Sequence, residues 1–280
     1  LLNQADLYKK ANYYMKDLLL KISLKESLPK YQDTYIYSKR LYKTPNIYQQ
    51  CKYIFIVTSI LFRLLREKFT PFKERWQLAY NFKPWAKVAM WKSNVIINRP
   101  NHFLADPFVI REGSKNYIFA EDYDYKKKKG VISVFYISKN KYKFLGTALE
   151  EDFHLSYPYV FKFNDKFYMV PECKDSSSVR LYECVDFPKK WKFNRNLLGN
   201  LTGVDPTIFE YNGKWWMFIN MDPTNTRSFN SELFLFFTDD PINGEWKSHQ
   251  LNPIILDAKK ARMGGILFKE KNIYRVAQSP

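Results

Sequence analysis

The segment Ala105-Asp106-Pro107-Phe108-Val109-Ile110 opens a pattern that recurs twice, as Tyr157-Pro158-Tyr159-Val160-Phe161 and as Val204-Asp205-Pro206-Thr207-Ile208-Phe209. The shared prolines, at positions 107, 158 and 206, are 51 and 48 residues apart. Each copy reads as a strand that continues through a polar turn into a second, aromatic strand. A period of about 50 residues built from short strands is typical of a β-propeller.

Two further strands complete each repeat, so that each repeat contains the four strands of a propeller blade. We place the blades at residues 104–153, 155–203 and 204–256, and a fourth begins near Arg262. The segments 76–80 and 88–91 also read as short strands. We therefore predict an all-β fold, a five-bladed β-propeller over residues 76–280 that is incomplete at its C-terminal end, preceded by a helical, basic linker segment over residues 1–75.

The net charge of +17 is concentrated in the linker segment. Residues 1–100 contain 19 Lys and Arg against 6 Asp and Glu, whereas the other 180 residues contain 26 against 22. A basic segment suits nucleic acid, an anionic membrane or another acidic surface. No nucleic-acid-binding motif accompanies it, so nucleic acid is the disfavoured partner.

The longest apolar run, Tyr53 to Phe62, is too short to span a bilayer. It predicts either an amphipathic helix packed on protein or one lying on an anionic membrane surface through residues 52–75. The chain start, Leu1-Leu2-Asn3-Gln4, shows no signal-peptide pattern. We therefore expect a cytoplasmic location, with peripheral contact to a membrane as the alternative.

Neither the cysteines nor the histidines form a metal-binding pattern. Cys51, Cys173 and Cys184 make no CxxC pair, and the three histidines lie far apart in sequence. We predict no metal site and no cofactor.

Four carboxylates are the candidates for chemistry. In a propeller the first strand of each blade lines the central channel, so Asp106 and Asp205 would converge at one mouth, with Tyr157 at the equivalent point of the intervening blade. Glu121 and Glu172 each end a second strand. Glycoside chemistry needs such a pair, because one carboxyl group protonates the leaving oxygen while the other attacks or activates water. The alternative is that Asp-Pro at a strand start is a structural turn.

Four other residues are candidates for substrate binding together with Glu121. The rings of Tyr157 and Trp215 could stack on sugar rings, because their faces are apolar while their edges form hydrogen bonds. His154 precedes the second copy of the motif and offers a polar group at the channel. Arg262 could pair with Asp205 or with an anionic substrate.

Several strings resemble one known domain. They are Phe103-Leu104-Ala105-Asp106-Pro107-Phe108, His154-Leu155-Ser156-Tyr157-Pro158-Tyr159-Val160-Phe161, Met169-Val170-Pro171-Glu172, Val204-Asp205-Pro206, Trp215-Trp216 and Tyr274-Arg275. The domain is the N-terminal β-propeller of the plant glucosamine inositolphosphorylceramide transferase family, and the resemblance covers about 76–280. Bacterial relatives carry it behind a formyltransferase-like domain, which the resemblance implies as an upstream partner here.

The resemblance implies a carbohydrate-active fold, similar to the five-bladed propellers of family-43 glycoside hydrolases. Those hydrolases use two Asp and one Glu from different blades. Asp106 matches the first Asp position, whereas Tyr157 stands where an acidic residue is expected. An altered set would then have Asp106 and Asp205 as base or stabiliser and Glu172 as acid.

Two functions are therefore expected. The first is action on a sugar or glycolipid in glycan assembly, by glycosyl transfer or glycoside hydrolysis. The alternative is a non-catalytic glycan-binding or scaffold module, since in the plant proteins a separate glycosyltransferase domain follows the propeller.

Overall fold

The computed structural model describes residues 4–25, 44–69, 76–84, 87–269 and 272–278. It divides into two compact units, one made of Leu1–Leu28 and Trp76–Pro280 and the other of Pro29–Arg75. In the first unit, helix α1 spans Gln4–Ser23. In the second, helix α2 spans Ile47–Phe69. The division predicted from the sequence, 1–75 against 76–280, remains a prediction, with residues 26–43 and 70–75 outside the described ranges.

Both helices were expected from apolar spacing, but their environments were not. The side chain of α1 that is most buried is Lys10, at 8 % exposure, whereas Leu7 of the same helix is 59 % exposed. Lys10 donates to Glu232 and, at 3.1 Å, to Ser231 Oγ, so a buried ion pair holds this helix. On α2, Phe55 and Phe62 are 71 % exposed. Packing of α2 on protein is therefore not confirmed, and no described helix is long and apolar enough to cross a membrane.

Antiparallel sheets follow one another along the rest of the chain. A two-stranded sheet pairs β1 (Leu78–Tyr80) with β2 (Asn94–Ile96). Sheet I comprises β3 (His102–Glu112), β4 (Lys115–Asp124), β5 (Lys129–Ser138) and β6 (Lys141–Leu149). Sheet II comprises β7 (Ser156–Phe163), β8 (Lys166–Glu172), β9 (Ser178–Asp186) and β10 (Lys190–Gly199).

Sheet III comprises β11 (Gly203–Tyr211), β12 (Lys214–Met221), β13 (Glu232–Thr238), β14 (Lys247–Ser248) and β15 (Ile255–Leu256). A last pair joins β16 (Met263–Lys269) to β17 (Asn272–Ala277). The three predicted blades thus correspond to sheets I, II and III. The strand predicted at 88–91 is wrong, because Met90–Lys92 form a 3-10 helix. The strand that pairs with β1 lies later in the chain, at Asn94–Ile96.

Each sheet packs on the next through an apolar layer. Sheets I and II share a cluster that includes Phe119, Val134, Val160, Met169 and Tyr182. Sheets II and III share one that includes Tyr159, Phe161, Leu181, Ile208 and Met217. Smaller clusters join β1 and β2 to sheet I and join Leu233 of sheet III to Ala261 and Met263. Successive residues of a strand point to opposite faces of its sheet. Apolar residues on both faces therefore let the sheets stack face to face.

Candidate active site

The recurring motif forms the same backbone irregularity in each sheet. Asp106, Tyr157 and Asp205 adopt left-handed conformations with φ of +47°, +46° and +55°, and the pairing with the next strand skips at each of them. Gly265, at φ +127°, stands beside a similar skip in β16. A β-bulge bends a strand and redirects its side chains. Because a left-handed backbone is costly for residues other than glycine, its recurrence here marks a position set by the surrounding structure.

The carboxylate of Asp205 is held by an arginine. Arg262 donates from Nε to Oδ2 and from Nη2 to Oδ1, the latter at 3.3 Å, and Asp205 is 2 % exposed. The third nitrogen of the guanidinium donates to Oδ1 of Asn230 at 3.3 Å. Of the two pairings that the sequence left open for Arg262, the structure shows the one with Asp205.

Glu172 lies against Asp205 at the end of strand β8. Its Oε2 accepts the backbone N–H of Asp205 at 3.3 Å. Burial, followed by the charge of Asp205, raises the pKa of the Glu172 carboxyl group. Burial also raises the pKa of Asp205, but the charge of Arg262 opposes this rise. Within this pair the balance favours the protonated form of Glu172, because its pKa is raised to about 8 whereas the charge of Arg262 opposes the rise at Asp205.

Asp106 and Glu121 form the second acidic pair, on sheet I. Burial, followed by the negative charge of Asp205, raises the pKa of Asp106 to about 6, against the opposing effect of the Tyr157 backbone N–H. Burial and then the charge of Asp106 raise the pKa of Glu121 to about 8. The charge of Asp205 thus acts on Asp106 and the charge of Asp106 acts on Glu121, so each of these carboxyl groups lies within electrostatic range of the next. The structure thus brings together the acidic residues that the sequence singled out.

His154 adjoins Glu121 as a neutral imidazole. The backbone N–H of Gly130 donates to its Nδ1 at 2.9 Å, so the ring proton resides on Nε2, which lies 3.6 Å from Oε1 of Glu121. Burial lowers the pKa of His154. A Cβ at Gly130 would stand 2.6 Å from the Leu155 carbonyl oxygen and 2.7 Å from the His154 ring, so this contact requires glycine.

The rings of the two predicted aromatic platforms are packed against other side chains. Tyr157 is 2 % exposed, its ring packs against Phe108, and its hydroxyl group forms a 2.9 Å hydrogen bond with Oγ1 of Thr207. Trp215 is the second residue of strand β12, whereas Val204, next to Asp205, pairs with Asn220 of that strand, about 16 Å away at 3.3 Å per residue. Trp215 packs against Phe161 and Phe163 instead. Burial, followed by the charge of Asp205, raises the pKa of Tyr157, so its hydroxyl group lies within electrostatic range of that carboxylate.

Sequence reasoning missed several polar residues around the site. Asp122, next to Glu121, is 1 % exposed and accepts from Arg99 Nη2 at 2.6 Å and Ser133 Oγ at 2.7 Å, with His102 Nδ1 at 2.7 Å. Its partners come from two separate segments, 99–102 and the strand that contains Ser133, and their spacing in the sequence does not predict that they meet. Across the described ranges, no group of three or more His, Cys, Asp or Glu side chains is arranged to hold a metal ion.

Residues 77–280 match the family model described as glucosamine inositolphosphorylceramide transferase 1, N-terminal. Two curated relatives are both described as glucosamine inositolphosphorylceramide transferase 1. The one from Oryza sativa subsp. japonica is 35 % identical over 184 residues, and the one from Arabidopsis thaliana is 36 % identical over 185 residues. In each case the match covers 64 % of this chain and 24 % of the relative. The chain thus spans about a quarter of the length of the curated relatives that it matches.

Solved structures with a similar course of the chain include two glycoside hydrolases. Zg3597, a family 117 glycoside hydrolase of Zobellia galactanivorans, has a TM-score of 0.48 at 14 % identity and covers 65 % of this chain and 63 % of its own. The GH32 β-fructofuranosidase BmSUC1 of Bombyx mori has a TM-score of 0.49 at 14 % identity, covering 65 % and 43 %. At these values no residue role is transferred from either protein.

Proposed function

This chain belongs to the glucosamine inositolphosphorylceramide transferase family through its N-terminal domain, and we propose that its acidic cluster is a catalytic centre acting on a sugar conjugate. The reaction class is glycosyl transfer or glycoside hydrolysis. The observation that carries the proposal is the geometry of the site, in which buried Glu172 accepts the backbone N–H of Asp205 and Arg262 binds the Asp205 carboxylate through two nitrogens. A buried carboxyl group with a raised pKa, placed in one site with other carboxylates, supplies the acid and the anion that cleavage of a glycosidic bond uses.

Each carboxyl group takes a distinct role. Glu172 is the general acid that protonates the leaving oxygen, since burial raises its pKa. Asp106 is the base or nucleophile, because its pKa of about 6 leaves it ionised at neutral pH. Arg262 affects Asp106 through its positive charge, which lowers this pKa. Asp205, locked by Arg262, stabilises developing positive charge on the sugar ring. Glu121 and His154 supply polar contacts to the substrate.

The architecture proposed for this centre is a five-bladed propeller. Five successive antiparallel sheets support it, namely the β1–β2 pair, sheets I to III and the β16–β17 pair. The bulges of sheets I and III would then direct Asp106 and Asp205 toward one mouth of a central channel.

The substrate class follows from the relatives. Their names specify glucosamine and inositolphosphorylceramide. For this chain we propose a sugar or glycolipid substrate in glycan assembly, alongside the upstream formyltransferase-like domain expected from the sequence.

One observation favours the alternative of a non-catalytic glycan-binding or scaffold module. The match covers 24 % of each curated relative, so the matching region is a minor part of a longer protein whose activity can reside elsewhere. In that case the pairing of Asp205 with Arg262 and the bond from Glu172 to the Asp205 backbone are purely structural.

Measuring turnover and binding together separates the two functions. We would screen glycosides and nucleotide sugars for binding and turnover with the wild type, Asp106→Asn, Glu172→Gln and the control Asp165→Asn, whose side chain is 99 % exposed. Catalysis predicts that binding persists in all four proteins while turnover falls at least about a hundredfold in the first two variants only. Binding without turnover in the wild type would overturn the catalytic proposal in favour of the module.

We also propose that the protein is cytoplasmic and that helix α2 makes peripheral contact with an anionic membrane. Its polar residues recur at three- and four-residue steps and include Lys52, Arg63 and Arg66, while Tyr53 and Phe62 are about 70 % exposed. Binding to anionic vesicles, lost in Phe62→Ser and weak toward zwitterionic vesicles, is the expected result. Equal partition to both vesicle types would contradict the electrostatic part of this proposal.

A further inference from the structure

A polar cavity opens on the outer side of Arg262. Its volume is about 390 Å³, and its lining includes Lys174, Arg227 and Arg262. A second cavity of about 580 Å³ adjoins it and shares Lys174, Arg227 and Phe229. The walls come from the 3-10 helix Lys174–Ser176 after β8 and from the loop between β12 and β13. The guanidinium that binds Asp205 therefore also lines this outer cavity.

Arg262 of the cavity is paired with Asp205, and Asp6 adds one carboxylate to the lining, which leaves two cationic side chains, Lys174 and Arg227, against one carboxylate. Within the described residues, neither Lys174 nor Arg227 forms an ion pair; the Lys174 ammonium instead lies 4.6 Å from the centre of the Phe229 ring. Asp222 is turned inward to its own loop, where it accepts from Thr224 Oγ1 at 2.7 Å and from the Ser228 N–H at 3.2 Å. The Lys174 ammonium and the Arg227 guanidinium can therefore donate hydrogen bonds to a ligand.

The backbone of the loop is also unusual. Asn225 and Arg227 adopt left-handed conformations with φ of +54° and +60°. Arginine is a poor choice for this conformation, which costs on the order of 1–3 kcal/mol and persists where the surroundings impose it. The loop that carries this strain places Arg227 in the cavity lining, together with Thr226, Ser228 and Asn230.

We propose that this cavity binds a phosphate ester of the substrate. Two guanidinium groups and an ammonium, with hydroxyl and amide groups between them, match the several acceptor oxygens of a phosphate better than the two oxygens of a carboxylate. The assignment rests on the proposed function in that the sugar attached to the phosphate would reach the carboxylates on the inner side of Arg262. The phosphate can belong to a lipid-linked phosphodiester or to a nucleotide sugar.

Calorimetric titration of the full chain with three probes tests the assignment. The probes are inorganic phosphate, inositol 1-phosphate and a uridine diphosphate sugar. Because charge-assisted hydrogen bonds to phosphate are strong, Arg227→Ala and Lys174→Ala should each raise the Kd of the preferred probe about tenfold or more. Lys126→Ala, at an exposed hairpin end, should leave the Kd unchanged. Preference for inositol phosphate identifies the lipid-linked source, and preference for the nucleotide sugar identifies the other.

A variant of Asp6 should change the Kd in the opposite direction. Its side chain lines the same cavity, so Asp6→Asn removes a negative charge and should lower the Kd about threefold. Equal affinity in Arg227→Ala and Lys126→Ala, or no saturable binding of any probe, overturns the phosphate site. If the phosphate probes bind through Arg227 but no sugar is turned over, the catalytic proposal fails alone; turnover of unphosphorylated glycosides without phosphate binding removes only the cavity proposal.

Discussion

Asp106 and Asp205 occupy the same position in sheets I and III, with the same left-handed backbone and the same proline after it, yet they differ in charge environment. Asp205 is bound through two nitrogens of Arg262 and has Glu172 as its protonated neighbour. Asp106 has no such arginine bond among the described residues; its acidic neighbour Glu121 lies beside a neutral His154 instead. The repeats therefore share a backbone conformation, and the residues around it determine the charge environment of each aspartate.

Removing Arg262 should have the largest effect, because it erases the difference between the two aspartates. In Arg262→Met a buried carboxylate loses its counter-ion, and breaking a buried pair in this way costs about 3 kcal/mol or more. Urea denaturation at pH 7 measures the change in the free energy of unfolding.

The matched control for this variant is the double variant Arg262→Met, Asp205→Asn, which leaves no unpaired charge. It should recover at least about half of the lost stability. A loss below about 1 kcal/mol in the single variant would show that Asp205 does not depend on Arg262.

Gly130→Ala disturbs only the half of the site that contains Asp106 and Glu121. The added Cβ would overlap the Leu155 carbonyl oxygen and the His154 ring, which should cost about 2 kcal/mol and break the bond from the Gly130 N–H to His154. The control is Gly199→Ala, since nothing lies within 4 Å of a Cβ there. Similar unfolding free energies for the two alanine variants would contradict the tight contact described for His154.

The sheets were largely predictable from the sequence, because each repeat carries its own strands and turns and the prolines mark the period. The convergence of Asp106 and Asp205 was predictable for the same reason. The burial of Tyr157 was not, because whether an aromatic ring at a strand start faces the core or the solvent depends on neighbouring sheets. Lys10 was missed because burial of a lysine depends on a partner 222 residues away.

The cavity that we propose to bind phosphate was likewise not predictable from the sequence. Lys174, Arg227 and Arg262 are separated by 53 and 35 positions, and ordinary surface residues surround each of them. Only the fold places the end of β8, the loop after β12 and the start of β16 around one cavity.

The pH dependence of stability should separate the two acidic pairs. Glu121 has a pKa of about 8 in the folded protein against an ordinary value of 4.5. Between these values the folded state binds one more proton than the unfolded state at this group, so its stabilising contribution is present at low pH and is lost as the pH rises toward 8. The slope is about 1.4 kcal/mol per pH unit at most. We expect Glu121→Gln to remove about this slope between pH 5.5 and 7.5, and Asp106→Asn to remove its part near pH 4–6.

Urea denaturation at half-unit intervals of pH checks both variants against Asp165→Asn, whose exposed carboxyl group should not change the curve. The residual slope in Glu121→Gln belongs chiefly to Glu172. Curves of wild type and Glu121→Gln that run parallel from pH 5.5 to 7.5 would show that Glu121 is ionised throughout this range and would contradict the raised pKa of this group.

The smallest effect is expected at Tyr157, the second copy of the bulge and the one without an acidic group. Tyr157→Phe removes the hydroxyl group that bonds to Thr207 but keeps the ring against Phe108, so the loss should be about 1 kcal/mol. A double-mutant cycle with Thr207→Val should give a coupling energy of similar size. Since Tyr157 affects Asp106 chiefly through its backbone N–H, which the variant retains, the stability change that Asp106→Asn produces near pH 4–6 should be the same in both backgrounds. A changed pH profile would instead make the tyrosine hydroxyl part of the electrostatics of the site, and the second bulge would then be more than a structural copy of the other two.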